Sequence, residues 1–543
     1  MRILRGAVIL YLAALIAGLA ANCFGQAQRQ PGELAWTLGY DPKTFDPAKV
    51  DDIDSETIRY LTGGVLLRFN RRTQKIEPGL AQSWNLSPDG KTIVFKLRTG
   101  LRFSDGGSLT ARDVAWSIRR ILLDPKDAPT ADEFVAPEKV TVETPDADTI
   151  IVHLPQRVIG IGKVFDEIVI EPAERPSEGR VTSGAFVVDD YRRSQYVHLR
   201  RNPYYYERDS SGAALPYATG IRLDILNNTE QEIRGLLRGD YDLIDRLPPD
   251  YFELLKKQAG AMVRDLGPSL NTEQMWFNES PASPLPAWEK SWFQSQAFRV
   301  AVSQAIHRDD LARIAYLGHA TPAYSFISPA NTAWYNQHVS APHTDLAAAK
   351  AELSRAGFRW SGSQLEDAAG HPVRFSILTN AGNEARKKMA TLIQQDLAAL
   401  GMQVNVVALD FPALIERLMH TQDYEACLLG LENVDPDPNS MMNMWLSSAA
   451  NHQWNPSEKT PATPWEAEID REMNLQATSL KDSQRKQAVD RVQQIVADQQ
   501  PFIYLVYPNI LVAVSPRLQG VEPAVLEPEL VWNVQYLRRR GSR

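Results

Sequence analysis

The sequence predicts an α/β fold divided between two lobes. Its 543 residues exceed what one hydrophobic core usually organises, so at least two compact parts are expected. Strand and turn patterns prevail up to about residue 270, and helical apolar spacing prevails beyond it. In this second half a strand pattern at residues 404–408 stands between helical patterns, which indicates an α/β lobe.

The strongest local signals in the first half are a hairpin and a capped helix. Within residues 84–97 a Pro-Asp-Gly turn separates two apolar stretches, which predicts a pair of antiparallel strands. Thr110 precedes Asp113 by three positions, the spacing of a capping box, and this predicts a helix over residues 111–122. Period-two alternation over residues 221–226 predicts a half-buried strand.

The second half is read mainly as helices. A long helix from about residue 465 to 498 is expected to break near Ser479 and to end before Pro501, where a strand over residues 502–507 follows. Other helices are predicted over residues 297–317, 344–356, 384–400 and 410–420.

The first residues predict export. Arg2 and Arg5 precede an apolar run at residues 7–21, and a small-x-small site ends at Ala27, so we expect a signal peptide over residues 1–27 and release into the periplasm. The residues that end at Cys23 resemble a bacterial lipobox, and lipid anchoring through Cys23 stays open as the alternative.

The net charge argues against nucleic-acid binding, and the motifs of the chain give no support to catalysis. A formal net charge of −8 argues against nucleic-acid binding, which needs a surplus of clustered Lys and Arg. No nucleophile elbow, phosphate-binding loop, zinc-protease motif or Cys-x-x-Cys pair is present, so we expect neither catalysis nor a cofactor nor a metal site. Cys427 lies in an apolar run and is expected to be a buried strand residue. An exported hydrolase stays open as a remote alternative.

Several short motifs stand in a fixed order along nearly the whole mature chain. They include Thr-Phe-Asp-Pro at residues 44–47, Pro-Asp-Gly-Lys at 88–91, Phe-Ser-Asp-Gly at 103–106 and Asn-Pro-Tyr-Tyr at 202–205. Others lie at residues 76–84, 110–114, 182–186, 237–242, 298–308 and 349–358. In this order they resemble the family 5 extracellular solute-binding proteins, which include the dipeptide- and oligopeptide-binding proteins of ABC importers.

This resemblance implies a periplasmic-binding-protein type II (Venus-flytrap) fold with an extra inserted domain and two crossing strands between the lobes. It also implies capture of a peptide or peptide-like solute by a monomer that delivers it to an inner-membrane ABC permease. An oligosaccharide, a metal chelate or an opine is the alternative ligand. The implied parts are a base lobe (residues 28–57, 179–272 and 505–543), an inserted domain (58–178) and a second lobe (273–504).

The acidic segment 432–439 is the most informative candidate for ligand binding. In peptide-binding relatives an acidic residue four positions before the proline that matches Pro436 meets the ligand ammonium, and Glu432 occupies that position. Relatives usually have aspartate there, so the longer side chain shifts the expected site. The alternative is a solvated turn in which Asp437 or Asn439 caps a helix.

Six further residues complete the candidate site. Trp276 and Asn278 lie on a predicted crossing strand, where alternation places them on one face. Trp334 and Trp445 fall in segments that border the cleft in relatives, with core packing as the alternative for each tryptophan. Asn433 and Asp435 belong to the acidic segment, and for Asp435 a role in the turn competes with ligand contact.

Overall fold

The structure is a computed structural model that describes residues 30–123, 139–158, 160–174, 179–433, 435–479 and 481–540. The predicted signal peptide and Cys23 lie outside these residues, and so does the expected domain boundary at residue 178. Within the described ranges no helix combines the length and the apolar character needed to cross a membrane.

A four-stranded sheet forms the centre of the base lobe. One edge pair is parallel and the other two pairs are antiparallel. Side chains from residues 510–537 pack into the same core, so the end of the chain completes this lobe. The strand order is Leu34–Leu38, Gly220–Ile225, Tyr196–Arg201 and Phe186–Arg192.

The inserted domain has its own sheet and its own core. The hairpin is confirmed, because Ala81–Leu86 pairs antiparallel with Thr92–Leu97 and Gly90 takes the left-handed φ of 70° that the turn requires. Its helix, Ala111–Leu123, is also confirmed, and Thr110 donates from its backbone N–H and its hydroxyl to Asp113. The helix buries an apolar stripe against this sheet.

The second lobe is built around the largest sheet of the described residues. The central strand Thr272–Phe277 has neighbours on both sides, and every one of its residues is buried. Its side chains point alternately into two cores, one on each face of the sheet. Cys427 is buried in the adjacent strand Ala426–Leu431, as predicted.

One long strand, Phe502–Val514, belongs to both lobes. Its first part, up to Val506, pairs with Thr272–Phe277, and its last part, from Asn509, pairs with Val263–Pro268 of the base lobe. The polypeptide therefore passes between the lobes near residues 268–272 and 507–509. The division into the ranges given above stays a prediction.

Most helices predicted from spacing are present, with shifted ends. The long C-terminal helix is broken as expected, into Pro464–Thr478 and Asp482–Gln499. The helix predicted over 297–317 stops at Ala305 and continues as a short helix and a π-helical turn. The remaining helices are Ile53–Thr62, Ile161–Glu167, Thr229–Arg238, Pro249–Ala259, Ala287–Phe293, Leu346–Arg355, Glu384–Ala398, Phe411–Ile415 and Met442–Trp445. The remaining strands are Leu67–Asn70, Lys75–Pro78, Thr141–Glu143, Thr149–His153, Leu243–Ile244, Ala320–Pro322, Arg359–Ser361, Gln364–Glu366, Arg374–Asn380, Gln403–Leu409, Leu518–Gln519 and Arg538–Arg539.

Candidate functional site

A cavity of about 580 Å³ lies where the three parts of the chain meet. The base lobe contributes residues 36–57 in part, 245–246 and 526–529. The inserted domain contributes Arg59, Phe69, Arg71 and Lys163 among others, and the second lobe contributes Asp435 and Ser440. Small-molecule sites commonly measure about 300–1,000 Å³, so the cavity has the size of a ligand site.

The charges around the cavity are mixed, but the cations are already paired. Arg59 forms an ion pair with Glu56 at 2.5 Å, and Arg71 forms one with Asp166 at 3.0 Å. Lys163 pairs with Asp435 and Arg246 with Glu527. The four cations that line the cavity are therefore each neutralised by a carboxylate of the protein.

Arg246 is shared among several acids. It is surrounded by four carboxylates that act on its charge, those of Glu527, Glu529, Asp245 and Glu432. The Glu432 oxygen lies 3.8 Å from the guanidinium, so this group includes one acid from the second lobe beside three from the base lobe. We call these four acids and Arg246 the Arg246 cluster.

Two acids of the Arg246 cluster carry no ion pair with any described residue. Glu529 is 7% exposed, and burial, with Glu527 and Asp245 nearby, raises its pKa to about 8. Asp245 is exposed to the cavity, and its partial removal from water there raises the pKa of its carboxyl. One arginine faces four carboxyl groups, two of which keep a raised pKa because they are removed from water and no cation among the described residues pairs with them, so a further cation would be stabilised in the Arg246 cluster.

The acidic segment 432–439 of the second lobe lies on the side of the cavity that faces the base lobe. The backbone N–H of Asn433 donates to Asn271 Oδ1 at 2.8 Å and its side-chain NH₂ donates to Leu270 O at 2.9 Å, and its contact with a ligand stays a prediction. Asp435 lines the cavity through its pair with Lys163. Asp437 caps the short helix Pro438–Met441, as one interpretation of the sequence expected.

The tryptophans and Asn278 lie elsewhere. Trp276 is 1% exposed, donates to the Tyr424 hydroxyl at 3.2 Å and packs in the second-lobe core. Asn278, which directly follows the strand Thr272–Phe277, donates from its side chain to the backbone carbonyls of Gln422 and Tyr424. Trp445 is fully buried, and Trp334 lies under the Arg485 guanidinium at 4.8 Å. None of the four lines the described cavity.

The reason for this placement is the position of the strand in its sheet. Thr272–Phe277 is a central strand with both faces covered, so neither face is open to a cleft. The cavity instead borders the residues that precede the strand, since Leu270 packs with Phe69 and Leu526, which line the cavity. The three tryptophans and Asn278 make their contacts within the second lobe. Their contact with a ligand stays a prediction.

Sequence reasoning missed Asp245, Arg246, Glu527, Glu529 and Lys163. They come from segments far apart in the chain, and no spacing rule connects them. The only local signal is the pair of glutamates around Pro528, next to the apolar end of the base-lobe core.

The chain is similar to known proteins over most of its length. The family model described as bacterial extracellular solute-binding proteins, family 5 middle, matches residues 75–453. The probable ABC transporter-binding protein of Deinococcus radiodurans is 25% identical, over 88% of this chain and 87% of that protein. The oligopeptide-binding protein AppA of Bacillus subtilis is 22% identical, over 91% of this chain and 89% of that protein.

A solved structure has the same fold. The crystal structure of NikA from Brucella suis in complex with Fe(III)-EDTA aligns with a TM-score of 0.79 and 18% identity, over 94% of this chain and 100% of that chain. This agreement confirms the two-lobed type II α/β fold.

Proposed function

Because the chain belongs to the bacterial extracellular solute-binding proteins of family 5, we propose that it is the periplasmic component of an ABC importer that captures di- or oligopeptides between its lobes. Family 5 binding proteins deliver their substrates to ABC permeases. In this role the protein performs no reaction and releases its ligand intact.

The observation that carries the peptide proposal is the surplus of acid in the cavity. Every cation in the lining has a carboxylate partner, whereas Asp245 and Glu529 have no ion pair with a described residue. A peptide brings an α-ammonium group, which is positive at neutral pH. Bound in the Arg246 cluster, it places a positive charge beside the Glu529 carboxyl, which is 7% exposed and therefore less screened by water than a surface acid.

Glu432 keeps a role in this proposal. Its side chain is 68% exposed and stands 3.8 Å from Arg246, so a small movement of the second lobe brings it over the Arg246 cluster. A ligand ammonium placed between Glu432 and Glu529 would then contact both lobes. Such a contact favours the closed state, because the ligand binds that state better than the open one.

An anionic chelate is the second candidate ligand. It is favoured by the likeness to NikA, whose structure holds Fe(III)-EDTA. The charge of the cavity opposes it, because Arg59 and Arg71 are already occupied by Glu56 and Asp166. A polyanion would have to displace these carboxylates at a cost in buried charge.

Binding of matched peptides tests the proposal. Isothermal titration calorimetry would compare peptides with a free amino terminus with the same peptides after N-acetylation, which removes the positive charge. We expect binding only with the free amine, and mass spectrometry should recover the ligand uncut. Equal binding of both forms would exclude the ammonium site, and cleaved products would show an enzyme instead.

A further inference from the structure

A second group of ionisable side chains lies inside the second lobe, apart from the cavity. His452 and Glu458 belong to the irregular segment that follows the helix Met442–Trp445, and Glu466 lies in the first turn of Pro464–Thr478. All three side chains are buried, with exposures of 0%, 5% and 3%. None of them lines the interlobe cavity.

The imidazole of His452 has a fixed tautomer. Its Nδ1 lies 3.0 Å from the carbonyl oxygen of Met444, which can only accept, so Nδ1 carries a proton and donates. The second ring nitrogen is Nε2. That nitrogen is buried, has no hydrogen-bond partner among the described residues and faces the two glutamates.

A carboxylate oxygen of each glutamate faces His452 Nε2. Glu466 Oε1 lies 3.6 Å and Glu458 Oε1 3.8 Å from His452 Nε2, and the three atoms lie within 4.8 Å of one another. Two carboxyl groups and an imidazole that converge inside the lobe are stabilised by a cation placed between them.

Other side chains hold the carboxylates in this orientation. Trp454 Nε1 donates to Glu466 Oε1 at 2.9 Å, and the Thr463 hydroxyl donates to Glu466 Oε2 at 2.7 Å. The backbone N–H of Ala462 donates to Glu458 Oε2 at 2.7 Å. Outer hydrogen bonds of this kind, with the second histidine nitrogen bound to a carbonyl, are typical of metal ligands in proteins.

We propose that His452, Glu458 and Glu466 bind one divalent transition-metal ion, of which Zn²⁺ is the best fit. One nitrogen and two carboxylate oxygens suit zinc, at bond lengths of about 2.0–2.2 Å with a tetrahedral arrangement completed by water. Ligand atoms in such a shell are roughly 3.4 Å apart. The two nitrogen–oxygen distances of 3.6 and 3.8 Å are close to this value, and the two carboxylate oxygens, within 4.8 Å of each other, would have to move towards the ion.

The metal would have a structural role. His452 and Glu458 lie in a segment without regular secondary structure, and Glu466 lies in a helix, so one ion would fasten that segment to the helix. A metal ion that binds the folded state and not the unfolded state stabilises the folded protein by mass action. The proposal does not depend on the identity of the transported solute.

Metal content and thermal stability of the whole, tag-free protein test the site. Protein stripped with a chelator and then exposed to Zn²⁺ should retain about one equivalent by mass spectrometry after gel filtration, with a melting temperature higher by about 4 °C or more. Co²⁺ in place of Zn²⁺ should give the visible absorption of a tetrahedral N/O site. Less than about a fifth of an equivalent and an unchanged melting temperature would overturn the proposal and would leave a shared proton as the charge in the cluster.

Two variants locate the bound ion. Glu458→Gln keeps the size of the side chain and should lower zinc retention at least tenfold, whereas Glu468→Gln, a partly exposed neighbour paired with Arg491, should leave it unchanged. Zinc retained by Glu458→Gln would place the ion elsewhere, for instance in the cavity as cargo, and would refute the site. If Glu458→Gln does not fold, the Co²⁺ spectrum of the unaltered protein still shows whether a tetrahedral N/O site exists.

Discussion

Lys163 of the inserted domain forms an ion pair with Asp435 of the second lobe, so a charged contact spans the cavity from one side to the other. The Lys163 ammonium also stands 5.3 Å from the centre of the Phe69 ring. Both members of the pair are largely buried, with exposures of 17% and 25%. If the lobes open and close as proposed, this contact is broken on opening, and it would then favour the closed state.

Removal of this contact should weaken ligand binding. For Lys163→Met we expect the dissociation constant to rise about fivefold, which corresponds to about 1 kcal/mol for a partly buried pair. Calorimetry gives the constant, and small-angle scattering should show a larger open fraction without ligand. Arg112→Met, in an exposed pair with Glu174 in the same domain, is the matched control and should change neither. A Lys163→Met protein with unaltered affinity and scattering would rule out a closing role.

Glu529 should make binding depend on pH. Its pKa in the folded protein is about 8 because of burial, so the carboxyl is mostly protonated at pH 6 and gains charge as the pH rises. We therefore expect the affinity for a peptide with a free amine to increase from pH 6 to pH 7.5, below the ordinary pKa of about 8 for an α-amino group. Calorimetry across this range measures the slope. Glu529→Gln should reduce the slope, and Glu522→Gln, half exposed in the same segment, should keep it.

The same residue should affect the stability of the ligand-free protein in the opposite direction. A carboxyl whose pKa is raised from 4.5 to about 8 binds more protons in the folded state than in the unfolded state between these values. The free energy of unfolding should therefore fall as the pH rises from about 4.5 to about 8. Urea denaturation of Glu529→Gln should show a weaker fall than that of the unaltered protein. A parallel pH dependence in both would show that Glu529 is ionised freely in the fold.

Glu432→Ala should reduce affinity and leave the fold intact. The side chain is 68% exposed, so its pair with Arg246 contributes little to stability, on the order of 0–1 kcal/mol. If the ligand ammonium meets Glu432 in the closed state, its loss should cost about 2 kcal/mol of binding, roughly a 30-fold increase in dissociation constant. Glu384→Ala has the same exposure in the same lobe and serves as the control. Unchanged affinity in both variants would remove Glu432 from the site.

Trp276→Ala should act on stability and leave binding unchanged. The indole is 1% exposed and packs edge-on against Phe502 at 5.7 Å, so truncation should lower the free energy of unfolding by about 3–5 kcal/mol. Denaturant unfolding measures this loss, and calorimetry on the folded fraction should give the original affinity. Trp288→Ala, 43% exposed in the same lobe, should cost far less. A loss of affinity with little loss of stability would instead support the cleft contact expected from the sequence.

Local sequence patterns predicted local structure well. The hairpin of the inserted domain, the capping box at Thr110 and the break near Ser479 each depend on residues within a few positions of one another. The same holds for the turn after Ala426–Leu431, where Asp437 caps the following short helix. The order of the short motifs predicted the family correctly, because the model of family 5 matches residues 75–453.

The side chains that line the cavity are brought together by long-range contacts, which no local sequence pattern predicts. Alternation placed Trp276 and Asn278 on one face of their strand, but only the neighbours of that strand in the sheet decide whether the face meets solvent or core. Arg246 and Glu527 are 281 positions apart and still form an ion pair. Their meeting depends on how the end of the chain returns to the base lobe.

By itself the sequence determined the α/β class, most helices and strands, and the family, because these follow from short-range periodicity and from ordered motifs. Only the tertiary structure decided which charges lie together. Coulomb interactions and burial act through space, so Asp245, Glu529 and Glu432 become one acidic group around Arg246 only after the lobes have assembled. For the same reason His452 gained two glutamate neighbours whose meeting no spacing motif predicted.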